Sequence, residues 1–185
     1  MTSPARVQGD AKARLFCALR LPAETVERLV AWQQRLPEGR FRLVPPDNLH
    51  VTLAFLGWRP AGDARAVGRA LREAAAAASR PAFRVSLYRE TRSVGMLALD
   101  DEDGRAGALA ADLAARLERL GVYRPEARPW LAHVTVVRFS SPPRLAAPPP
   151  DLGEVAPSDA CVFMSVLRSD GAQYAVLESV ALGGR

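Results

Sequence analysis

Two alternating segments, LHVTLAFL at 49–56 and LAHVTVVRF at 131–139, constrain the fold most strongly. Both set β-branched and aliphatic residues at alternate positions, the pattern of a strand with one covered face. Each carries the tripeptide His-Val-Thr, and His50 and His133 are the only histidines in 185 residues. Residues i and i+2 of a strand share a face, so His50 stands with Thr52, while Val51, Leu53 and Phe55 take the other side. The same parity sets His133 with Thr135, against Val134 and Val136. The two copies lie 83 residues apart (133 − 50), too far for a solenoid repeat and suited to two related lobes.

The rest of the chain mixes strands and helices. Residues 1–12 read as a flexible tail and 13–185 as a single bilobal domain. A first strand is expected over 13–20, a helix over 22–36 opened by Pro22, and a short strand over 41–44. Gly57 to Gly62 read as a turn before an alanine-rich helix over 63–79. Strands near 83–88 and 94–99 precede a third helix, 105–120, closed by Gly121. The six prolines of 140–157 predict a surface loop, and strands at 160–167 and 173–182 flank a hairpin turn. Strand pairs joined by short turns, without strict βαβ alternation, predict an α+β fold.

Composition narrows the function. At 49% hydrophobic and 24% charged the chain resembles an ordinary globular domain, which excludes disorder and coiled coil. Twenty-four of its 25 basic residues are arginine, and the net charge of +5 favours anionic partners such as phosphates or RNA. Two cysteines, Cys17 and Cys161, cannot form a disulfide framework or a four-cysteine zinc site and suit a reducing compartment. The N-terminus has no apolar signal-like core, and no run of about 18 apolar residues occurs. A cytoplasmic protein, a monomer without membrane contact, is expected.

Paired imidazoles suggest acid and base chemistry, because imidazole gives or takes a proton near neutral pH. Threonine hydroxyls can donate to phosphoryl oxygens as negative charge grows there. Together they fit phosphodiester cleavage by paired proton transfer, with no cofactor and no metal. His-Glu-x-x-His and Cys-x-x-Cys spacings are missing, as are a Gly-x-Ser-x-Gly elbow and a phosphate-binding Gly-x-x-x-x-Gly-Lys loop. A non-catalytic module binding RNA or nucleotides, and an enzyme acting on small cyclic nucleotides, are the alternatives.

PPDNLHVTLAFLG at 45–57 with ARPWLAHVTVVRF at 127–139 resembles the paired signature of the 2H phosphoesterase superfamily, and within it the RNA 2′,3′-cyclic phosphodiesterases, also called 2′-5′ RNA ligase-like. RLFCALRLP at 14–22 and GAQYAVLESVAL at 171–182 are similar to that family's first and last strands. The resemblance implies a bilobal α+β fold in which two antiparallel sheets face each other across a central cleft, with helices outside. It implies that His50 is the proton donor to the departing ribose oxygen and His133 the acceptor that activates water. Thr52 and Thr135 would hold the phosphate, and Arg128 aligns with a family arginine suited to a forked phosphate contact. The implied substrate is RNA with a 2′,3′-cyclic phosphate end, tRNA fragments among them, and the implied product a 2′-phosphate. The family often has proline before the second histidine, where this chain has Ala132. Arg138 also matches the motif, but its strand parity opposes that of His133 and predicts a structural salt bridge.

Overall fold

A computed structural model describes residues 11–169 and 171–183. Of the tail expected over 1–12, residues 1–10 lie outside the described residues, while the Ala11 carbonyl accepts from the Ala61 N–H and Lys12 already opens β1 and pairs with Pro60. In chain order the elements are β1 (Lys12–Arg20), α1 (Ala23–Gln33), β2 (Arg42–Leu43), β3 (His50–Pro60), α2 (Asp63–Ala77), β4 (Arg84–Glu90), β5 (Val94–Asp100), α3 (Arg105–Arg119), β6 (His133–Arg138), β7 (Asp159–Arg168) and β8 (Gly171–Ala181), with a 3-10 turn over Pro46–Asn48.

The strands form two antiparallel halves. One runs β4-β5-β6, with β2 also on β6, and the other runs β3-β1-β7-β8. They join through β3 and β6, where Val51 opposes Val134. The expected α+β fold is thus present, with the two antiparallel halves as parts of one continuous sheet, fused at the valines of the two His-Val-Thr tripeptides.

The helices cover one side. Val67, Ala70, Leu71 and Ala74 of α2 and Leu109, Ala110, Leu113 and Leu117 of α3 recur at helical spacing and are buried. They share one core with Val51, Leu53, Val134 and Val136 of the motif strands. Fully burying a valine such as Val51 or Val136 contributes roughly 1.5–3 kcal/mol, which sets the facing of both strands. α3 starts after Gly104, at φ +66°, and the Asp101 carboxylate accepts the backbone N–H groups of Ala106 and Gly107.

Gly57 does not end a strand. β3 runs through it to Pro60, and the register against β1 steps from Phe55 to Gly57 with Leu56 as an extra residue. Gly57, at φ +71°, absorbs that bulge in a conformation open to glycine at low cost. The proline-rich stretch is a loop as expected, apart from a bridge between Val155 and Phe83. Prolines lack N–H donors, so side chains elsewhere tie the stretch down. Trp32 donates to the Pro148 carbonyl, Arg28 to Leu152, and Glu90 accepts from the Arg144 and Leu145 N–H groups.

Candidate active site

β3 and β6 meet at one pair, Val51 against Val134, and its antiparallel register continued by one residue sets His50 toward Thr135 and Thr52 toward His133. Opposed residues share a face, and both valines are buried among the helices, so all four polar side chains stand on the other face. In such a ladder the histidines are diagonal neighbours, with Cα atoms about 7–8 Å apart.

Each imidazole is held the same way. Nδ1 of His50 lies 2.8 Å from the Asn48 carbonyl, and Nδ1 of His133 lies 2.9 Å from the Leu131 carbonyl. A carbonyl only accepts, so Nδ1 carries the hydrogen in both rings and Nε2 is left for chemistry. Nε2 of His50 is 3.1 Å from the Thr52 hydroxyl. The Trp130 indole N–H donates to the Thr52 carbonyl at 3.0 Å, fastening the segment before His133 to the strand of His50.

Both motif strands carry a bulge at the third residue after histidine. Against β1 the partner of Cys17 is Ala54 and that of Ala18 is Thr52, leaving Leu53 extra. Against β5 the partner of Gly95 is Val137 and that of Met96 is Thr135, leaving Val136 extra. Two consecutive residues therefore face the core in each copy, Leu53 with Ala54 and Val136 with Val137. Everything beyond changes sides. Phe55 and Arg138, each five residues past its histidine, come round to the histidine face.

A cavity of about 410 Å³ opens there, lined by His50, Thr52 and Phe55 together with Arg14, Arg42, Arg138 and Arg168. Among the described residues no carboxylate pairs with any of these four arginines. Arg14 instead stacks over Phe55, its Cζ 4.9 Å from the ring centroid. His50 sits in an aromatic nest, with ring centroids of Phe16, Tyr174 and Phe163 at 5.1, 5.5 and 6.2 Å. Burial in that nest pushes its pKa down to about 4. The Asn48 carbonyl opposes the shift, while the charges of His133 and Arg138 add to it. His50 is consequently neutral at pH 7 in the unliganded protein. The buried Ser165 hydroxyl also lines the cavity and has no hydrogen-bond partner among the described residues. Another cavity, of about 610 Å³, is walled by Asp100, Asp101, Glu102, Asp103 and Glu154 and has the wrong sign for phosphate.

Residues 19–95 match the family described as LigT-like phosphoesterases. The RNA 2′,3′-cyclic phosphodiesterase of Escherichia coli K12 is 30% identical over 175 residues, covering 91% of this chain and 96% of its own length. The RNA 2′,3′-cyclic phosphodiesterase of Thermus thermophilus is 31% identical, covering 92% of this chain and 91% of its own. The chain belongs to the LigT-like phosphoesterase family. Its fold agrees. The crystal structure of E. coli LigT complexed with 3′-AMP superposes with a TM-score of 0.76 at 26% identity, over 93% of this chain and 99% of that one.

Within this LigT-like phosphoesterase, His50 and Thr52 line the cavity, and His133 and Thr135 stand beside them across the ladder. Arg128 does not line it. Its side chain is 81% exposed and bonded to Glu126. Arg138 does not follow the parity of a regular strand, nor does it form the expected salt bridge among the described residues, because the bulge at Val136 turns it into the cavity. Phe55 departs from the expected parity in the same way. The visible signal was the pair of adjacent apolar residues after each threonine, Leu53-Ala54 and Val136-Val137, which breaks alternation. Arg14, Arg42 and the aromatic nest arrive from other strands and leave no local mark.

Proposed function

We propose that the protein hydrolyses 2′,3′-cyclic phosphate ends of RNA to 2′-phosphomonoesters. Water attacks phosphorus and gives a proton to Nε2 of His133. The bond from phosphorus to O3′ breaks, and O3′ takes the proton of His50 Nε2. Thr52 and Thr135 donate to the non-bridging oxygens. The observation that carries this reading is the doubled geometry, two imidazoles on one face, each with Nδ1 on the carbonyl two residues back and a threonine two residues on.

The pair needs one proton. In the unliganded protein burial and positive neighbours keep it off His50, and the negative charge of a bound cyclic phosphate beside Arg138 restores it. Arg138 supplies the positive charge in this scheme, since Arg128 is turned to Glu126. With a 5′-hydroxyl in place of water, the same two proton transfers would break the bond to O3′ and leave a 2′-5′ linkage, and that step in reverse would return the cyclic end. In the cell we read the protein as a cytoplasmic monomer free of the membrane, acting on RNA ends that include tRNA fragments. None of the helices among the described residues is long and apolar enough to span a membrane.

The test is product analysis on an oligonucleotide ending in 2′,3′-cyclic phosphate. A 2′-phosphate is expected, with EDTA leaving turnover unchanged. His50→Ala and His133→Ala should each lower kcat by about 10²- to 10⁴-fold. Binding without turnover by the wild type, or full activity in the double variant, would refute the scheme.

A further inference from the structure

The cavity around His50 does not end at the arginines. A second cavity, of about 560 Å³, shares Arg42 and Arg138 with it and extends along Arg40, Phe41, Phe139 and Ser140. Arg42 and Arg138 are directly opposed on β2 and β6, where like charges repel across a short ladder distance. Neither they nor Arg40 meets a carboxylate among the described residues. An arrangement of this kind is relieved when anions settle on the guanidinium groups. Phe41 is seated rather than loose, because Gly39 lies against its ring so closely that a Cβ there would come within 2.8 Å of Cε1.

We propose that this second cavity binds the nucleotide preceding the cyclic end, with Arg40 and Arg42 on its phosphodiester and Phe41 offering a ring to its base. The proposal rests on the hydrolase reading above and adds to it a substrate of at least two nucleotides. One negative charge per added phosphate matches the unneutralised arginines, and aromatic rings beside a basic track are how single strands are held without base selection. Arg138, at the junction of the two cavities, stays with the cyclic phosphate.

The test compares a mononucleoside 2′,3′-cyclic phosphate with a dinucleotide ending in one. Arg40 is exposed and lines only the second cavity, so Arg40→Ala folds normally and should leave the mononucleotide rate unchanged. On the dinucleotide it should lower kcat/KM about tenfold, the worth of one charge-assisted contact. It should also reduce the slope of log kcat/KM against log salt by about 0.7. Arg40→Lys should recover part of the loss and the full salt slope. Equal effects of Arg40→Ala on both substrates, or no effect on the dinucleotide, would overturn the subsite while leaving the hydrolase reading standing. Absence of wild-type turnover on both substrates would overturn the hydrolase reading first.

Discussion

His50 sets an imidazole, which gains a charge on taking a proton, in an aromatic nest that disfavours that charge. Its depressed pKa, about 4 against an ordinary 6.5, expresses that conflict. The unfolded chain binds a proton between these values while the folded chain does not. The stability due to neutral His50 is therefore complete above pH 6.5 and lost as pH falls toward 4, by up to about 3 kcal/mol. Titrating the His50 ring by NMR should give a midpoint near 4 in the free protein. Arg138→Gln removes a positive neighbour and should raise that midpoint, as should inorganic phosphate. An unchanged midpoint in Arg138→Gln would place the guanidinium too far away to matter. Nothing around the histidines in sequence announces these shifts, since Phe16, Phe163 and Tyr174 come from three other strands.

At the level of the strand, the bulges do the specifying. A regular β3 would present Val51, Leu53 and Phe55 to the helices. The extra residue at Leu53 sends Phe55 to the opposite face, and Val136 does the same for Arg138 in β6. The two copies thus agree beyond their tripeptides in where the alternation fails. Further along β3, Gly57 holds a third irregularity at φ +71°. Gly57→Val should destabilise by about 1–2 kcal/mol, read as a lower urea midpoint at unchanged m-value. Equal stability would mean that the bulge moves elsewhere at no cost. The elements themselves were legible, because apolar periodicity and glycine or proline punctuation mark their ends. The extent of β3 was not, because a glycine that breaks a strand and one that bulges it look alike in sequence.

Over the whole molecule, the sheet separates a helix-covered face from the face that bears the histidines. Cys17 lies on the helix side and Cys161 on the other, within a small cluster with Phe16, Ala18 and Phe163. Burial pushes the Cys17 thiol up to about 12 and that of Cys161 above its ordinary value as well. Neither forms thiolate readily in the folded state. Alkylation at neutral pH should therefore track unfolding, with both thiols reacting at one rate that rises with denaturant. Fast labelling of either in the native protein would reveal local opening of β1 from β7. By itself the sequence determined the α+β class, the placing of most elements and the four polar residues of the two tripeptides, because strand parity and apolar spacing are local properties. Tertiary structure alone decided that the two motif strands are joined at their valines and that Arg14, Arg42 and Arg138 gather around one cavity. It also left Arg128 with Glu126. Those outcomes depend on which strands pair and in what register, and a single inserted residue in a ladder reverses the facing of all that follows.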